Sequence, residues 1–157
     1  MKVRIGIVEN EEDTRNYVCS LIEECMARAG HSLHLACCAS AEEFLFKYGE
    51  PDLLDVVFLD IMLGAMNGME LARSIRERDK RVQIIFLTGV QDYVYEGYEI
   101  GAVRYLLKPV RRQELEMALE HCCEKIAQEC FLENGEVLPV SRGAYQTLNE
   151  NFMRFYL

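Results

Sequence analysis

Five short apolar runs recur along this chain, each followed by a segment with helical spacing, and that alternation restricts the fold more than any single residue. The runs cover 3–8, 32–39, 53–59, 82–87 and 103–107. They are near-continuously apolar, with little of the in–out alternation of a half-solvated strand, which is the pattern of strands covered on both faces. Between them the period changes. Tyr17, Val18, Leu21, Ile22, Cys25 and Met26 recur at three- and four-residue steps, predicting a helix from about Thr14 to Gly30. Ser40 opens a second helix through Tyr48, with Glu43 placed to complete a capping box. Asn67 and Gly68 open a third, carrying Met69, Leu71, Ala72 and Ile75. A fourth is predicted over 92–101. The last runs over about 111–130, with Leu115, Ala118, Leu119, Cys122 and Ile126 on one face.

Strands alternating with helices imply a parallel α/β sheet with helices on both sides. Right-handed crossovers leave few topologies, of which the flavodoxin-like doubly wound order is favoured. Ligands of such sheets bind beyond the C-terminal strand ends, where the strand order reverses. That rule selects the residues to inspect. Glu9 and Asn10 follow the first strand, Asp60 ends the third, Thr88 ends the fourth and Lys108 ends the fifth. The carboxylates and the amide oxygen are hard donors suited to Mg²⁺, which takes few protein ligands and keeps its waters. Lys108 and Thr88 offer a charge and a hydrogen bond to phosphoryl oxygens. No glycine-rich G-x-x-x-x-G-K phosphate loop and no Ser/His/Asp arrangement lies at these strand ends. The set points to a site that takes a phosphoryl group onto Asp60, with Mg²⁺ and Lys108 neutralising charge.

These residues carry a family resemblance. The run Phe58-Leu59-Asp60-Ile61-Met62-Leu63 with Gly68 beyond it, then Thr88-Gly89, then Tyr105 and Lys108-Pro109, resembles the receiver domain of two-component response regulators. The stretch 99–109 is most similar to receivers of the LytTR class. The resemblance covers residues 1–125 and implies roles one by one. Asp60 would be the phosphoacceptor, Glu9 and Asn10 would hold the metal with the Met62 carbonyl, and Lys108 and Thr88 would meet the phosphoryl group. Thr88 and Tyr105 would form the switch, and the Lys108–Pro109 bond would be cis. A sensor histidine kinase would be the partner. The helix at 92–101 and the last helix, carrying Tyr93, Tyr95 and Tyr98, would offer a homodimer face. Asn10 stands where such receivers carry Asp, which should weaken Mg²⁺ binding, and Gly64 stands where proline is common.

Composition excludes other classes. No stretch of eighteen apolar residues occurs, and the N-terminus has no apolar leader pattern, so a cytoplasmic protein is expected. The net charge is −9, against the basic face that nucleic-acid binding needs. The seven cysteines, at 19, 25, 37, 38, 122, 123 and 130, are expected to act as reduced, small hydrophobes. His31, His34 and His121 suggest no metal site. Residues 126–157 form an extension. From Gly135 it resembles the last strand and terminal helix of a LytTR DNA-binding domain, closing on Pro139-Val140-Ser141-Arg142. It has only two basic residues after Lys125 against four acids, so this chain is not expected to bind DNA. The leading reading is a phosphorylation-switched binding module rather than an enzyme. The alternatives are a shortened LytTR transcription regulator and a receiver that carries no phosphate.

Overall fold

Three of the apolar runs become strands buried almost throughout and two become the margins of the same sheet. The computed structural model describes residues 1–89 and 93–133. Within them β1 (Lys2–Val8), β2 (Ser32–Cys38), β3 (Val56–Asp60), β4 (Gln83–Thr88) and β5 (Arg104–Leu107) alternate with helices. The helices are α1 (Glu12–Arg28), α2 (Ala41–Tyr48), α3 (Gly68–Arg78), α4 (Val94–Ile100) and α5 (Arg112–Glu133). All pairings are parallel and the strand order is β2-β1-β3-β4-β5, the doubly wound flavodoxin-like arrangement. The order reverses between β1 and β3.

Each face of the sheet buries its own apolar layer. Ile5, Ile7, Phe58, Ile85 and Leu87 pack with Val18, Ile22, Leu115, Leu119 and Cys122 of α1 and α5. Val57, Leu59, Ile84 and Phe86 pack on the other side with Phe44, Met69, Leu71 and Ala72 of α2 and α3. Strands β1, β3 and β4 have neighbours on both sides and are buried almost throughout. The expectation of five equally covered strands fails at β2 and β5. As edge strands they leave several residues half or fully exposed.

Local chemistry accounts for the element ends. Asn67 accepts a hydrogen bond from the Glu70 amide while the Glu70 carboxylate accepts from the Asn67 amide, a full capping box for α3. At α2, Ser40 accepts from the Glu43 amide, but the Glu43 carboxylate reaches the amide of Ala39, one residue before the cap. β3 begins three residues later than its apolar run, because Asp52 adopts φ 63° and Asp55 clamps Arg4 of β1. Leu54 is nonetheless buried under α2. The Lys108–Pro109 bond is cis. Among the described residues no helix is long and apolar enough to cross a membrane. Asp92 and the extension from residue 134 onward, including the resemblance to a LytTR output domain, lie outside the described residues.

Candidate functional site

The reversal in strand order places the ends of β1 and β3 side by side, and the two carboxylates there meet one ammonium. Glu9 is fully buried and Asp60 is 3% exposed. Lys108, arriving on the loop after β5, sets its Nζ 2.6 Å from Glu9 Oε2 and 2.8 Å from Asp60 Oδ2. Its contact with Asp60 is an aligned hydrogen bond; that with Glu9 Oε2 is a charge contact without hydrogen-bond alignment. The remaining carboxylate oxygens take backbone donors, Glu9 Oε1 from the Glu11 amide and Asp60 Oδ1 from the Met62 amide, each at 3.0 Å. Burial raises the pKa of Glu9, outweighing the opposing pull of Lys108 and the Glu11 amide. Burial opposes the Lys108 charge as well, but its hydrogen bond to Asp60 and its close charge contact with Glu9 prevail and raise its pKa.

Several neighbours hold this geometry. Gly68 is packed so tightly on the acceptor loop that a Cβ there would lie 2.1 Å from the Asp60 carbonyl oxygen. Its own amide donates to the Ile61 carbonyl at 2.8 Å. This close approach explains a glycine at the start of α3. Gly64, in the loop after Asp60, has φ +104°, a conformation proline cannot adopt. Arg15 of α1 donates to the Glu9 carbonyl at 2.7 Å and fixes the turn that carries the acid. Thr88 is fully buried at the end of β4, and its carbonyl accepts from the Lys108 amide at 2.9 Å.

Glu9, Asp60, Thr88 and Lys108 are therefore brought to one rim. Asn10 and Met62 lie beside them with exposed side chains, Met62 at 58%. Glu11 does not join the carboxylate pair; its side chain accepts from the Thr14 hydroxyl at the start of α1. Among the described residues no group of three His, Cys, Asp or Glu is arranged to hold a metal. What the rim offers is two hard carboxylates, one with a buried oxygen lacking an aligned hydrogen bond, beside the exposed side chains of Asn10 and Met62. That suits Mg²⁺, which accepts few protein ligands and completes its shell with water.

Tyr105 stands one layer away. Its ring packs 5.0 Å from Phe86, and its hydroxyl donates to the Tyr93 carbonyl near Met69. Burial raises the pKa of its phenol. The ring crosses α4 at Gly97, where a Cβ would come within 2.1 Å of the tyrosine oxygen. Sequence reasoning missed Gly97 and Arg15. A glycine in a helical pattern carries a weak signal of close packing, while nothing in the spacing marks Arg15.

The arrangement of sheet order, paired carboxylates and bridging lysine defines a receiver. The response regulator receiver domain family matches residues 5–120, and the chain belongs to it. It is a receiver of two-component signalling, from a family of phosphoacceptor regulatory domains that bind Mg²⁺ at the acidic site and take phosphate from sensor histidine kinases.

Among curated relatives, the sensory transduction protein LytT of Oceanobacillus iheyensis is 36% identical over 124 residues, covering 76% of this chain and 47% of its own. The transcriptional regulatory protein CusR of Escherichia coli is 34% identical over 115 residues, 72% of this chain and 48% of its own. The chain spans about half the length of the curated relatives it matches. A BeF3-activated DrrB receiver domain superposes with a TM-score of 0.67 at 25% identity, over 79% of this chain and 99% of that one. A CheY-like receiver from Methanospirillum hungatei does so at 0.65 and 26% identity, over 82% and 99%.

Proposed function

We propose that Asp60 accepts a phosphoryl group from a sensor histidine kinase and that the charge it brings rearranges the surface made by α4, β5 and α5. The observation that carries this reading is the single ammonium of Lys108 bridging Glu9 and Asp60 at the strand-order reversal. An Asp60 oxygen attacks the phosphorus of the kinase's phosphohistidine. The P–N bond breaks, the imidazole leaves with its electron pair and takes up a proton, and Lys108 stays with the phosphoryl oxygens to offset their charge. Glu9, Asn10, Asp60 and the Met62 carbonyl would hold Mg²⁺, which supplies further positive charge at the transferring group. The Thr88 hydroxyl, at the end of β4, moves to the phosphoryl group, and the adjoining loop settles Tyr105 in its place over Gly97. The chain works on its own side chain, gaining and losing phosphate, and turns over no separate substrate. Residues 1–125 act as the receiver and 126–157 as an extension, in a cytoplasmic protein.

Intact mass after acetyl phosphate treatment tests the reading. The wild type should gain about 80 Da, the mass of one phosphoryl group, only when Mg²⁺ is present, and Asp60→Asn should gain none. Equal gains in both proteins would move the acceptor elsewhere.

A further inference from the structure

Two thiols away from the acidic rim face each other across the edge of the sheet. Cys19 lies midway along α1 and is partly exposed; Cys37 is the penultimate residue of the edge strand β2 and is exposed. Strand alternation puts Leu33, Leu35 and Cys37 on the same face, and both leucines, like Cys19, pack against the α1/α5 core layer. The two sulfur atoms are 3.0 Å apart. Every other cysteine lacks either access or a partner of this kind: Cys25, Cys38, Cys122 and Cys123 are buried, and Cys130 is exposed near the end of α5.

We propose that Cys19 and Cys37 form a redox-modification site that closes into an intramolecular disulfide on exposure to a peroxide. The geometry has already brought the two reacting sulfur atoms within 3.0 Å of each other. Burial and the contact with Cys37 push the Cys19 thiol up to about 12, so it stays protonated, which leaves the exposed Cys37 as the thiol that reacts first. The Cys37 thiolate attacks one oxygen of hydrogen peroxide, breaking the O–O bond; the departing hydroxide takes up the thiol proton as water. Cys37 is then a sulfenic acid. Cys19 Sγ attacks that sulfur, and the sulfenic hydroxyl leaves with the Cys19 proton as a second water. Two thiols are oxidised to one disulfide and one peroxide is reduced to two waters. The bond would tie α1 to β2 beside the backbone that carries Glu9, since the Glu9 amide donates to the Cys38 carbonyl and Arg15 donates to the Glu9 carbonyl.

The full chain is treated with hydrogen peroxide, alkylated with N-ethylmaleimide under denaturing conditions, and digested for peptide mapping. The wild type should protect two thiols from alkylation, show a loss of ~2 Da before alkylation, and yield a peptide linking Cys19 to Cys37. Cys19→Ser and Cys37→Ser should each abolish that peptide, and Cys130→Ser should leave it. The oxidised wild type should melt at a higher temperature than the reduced form, with no such rise in Cys37→Ser. A gain of about 32 Da on Cys37 without a crosslink, the mark of a sulfinic acid, would overturn the assignment. So would a bond from Cys37 to Cys38, or one joining two chains through Cys130.

Discussion

At the residue scale the site sets two buried carboxylates against one partly exposed ammonium. Two buried carboxylates would repel each other at neutral pH, and Lys108 between them offsets that repulsion. The unusual member of the set is Asn10, an amide where a carboxylate would add charge at the metal. Asn10→Asp should therefore tighten Mg²⁺ binding, by about tenfold if the restored carboxylate contributes near 1.4 kcal/mol, and should speed acetyl phosphate turnover. A Mg²⁺ titration followed by tyrosine fluorescence checks this. Equal or weaker affinity in the variant would show that position 10 faces no metal. Glu9, Asp60, Thr88 and Lys108 were all legible in the sequence because each ends an apolar strand, and parallel strands deliver their C-terminal ends to one rim. Their individual contacts were not legible. Nothing in the spacing says that Glu9 Oε1 takes the Glu11 amide while its other oxygen faces Lys108.

At the scale of elements, two devices position helices and strands of the domain, and each can be broken separately. Gly97 leaves the groove on α4 that Tyr105 occupies. Gly97→Ala should expel the ring from the Tyr93 carbonyl while the helix itself tolerates, or slightly prefers, alanine. The Tyr105 phenol, now raised above 10.0 by burial, should fall back toward that value, as read by ultraviolet titration against a Tyr105→Phe control. An unchanged titration would mean that the ring does not depend on Gly97. The second device is Asp79 at the end of α3, whose carboxylate accepts from the amides of Asp52, Arg81 and Val82 and so leads the chain into β4.

Burial would raise the Asp79 pKa, yet these three bonds prevail and lower it from 3.8. A depressed folded-state pKa gives stability that is present above the unfolded value and lost as pH falls through the folded one. Asp79→Asn should thus lower the urea midpoint at pH 7, and the gap from wild type should narrow in acid below pH 3.8. A gap that is constant with pH would contradict the account. The helices and strands were legible from their apolar periods, but the exposure of β2 and β5 was not. An edge strand and a central strand can carry similar apolar runs; only the strand order decides which is covered.

For the molecule as a whole, exposed aromatics occur on the α4–β5–α5 face proposed above to carry the signal, and also at Phe46 of α2 and Tyr17 of α1. Tyr95 and Tyr98 of α4 are 86% and 75% exposed, and Leu107 of β5 and Met117 of α5 also carry open apolar surface. Aromatic residues of this kind are enriched where proteins meet. Sedimentation with beryllofluoride and Mg²⁺ should move the wild type from monomer toward dimer, and a Tyr95→Ser/Tyr98→Ser double variant should stay monomeric. If the wild type also stays monomeric, the signal leaves through another partner or face. The juxtaposition of Cys19 and Cys37 belongs to this scale too. The two come from separate elements and meet only because α1 packs beside the edge strand, so no local pattern announces them.

The proposed switch depends on one covalent event, and the most direct measurement locates it. After treatment with acetyl phosphate and Mg²⁺, borohydride reduces an aspartyl phosphate to homoserine, which can be mapped by peptide sequencing. Homoserine is expected at position 60, in the peptide containing Phe58 and Met62, and at no other acidic residue. Homoserine at position 9, 55 or 79, or no reduction product from a chain that has gained phosphate, would contradict that expectation.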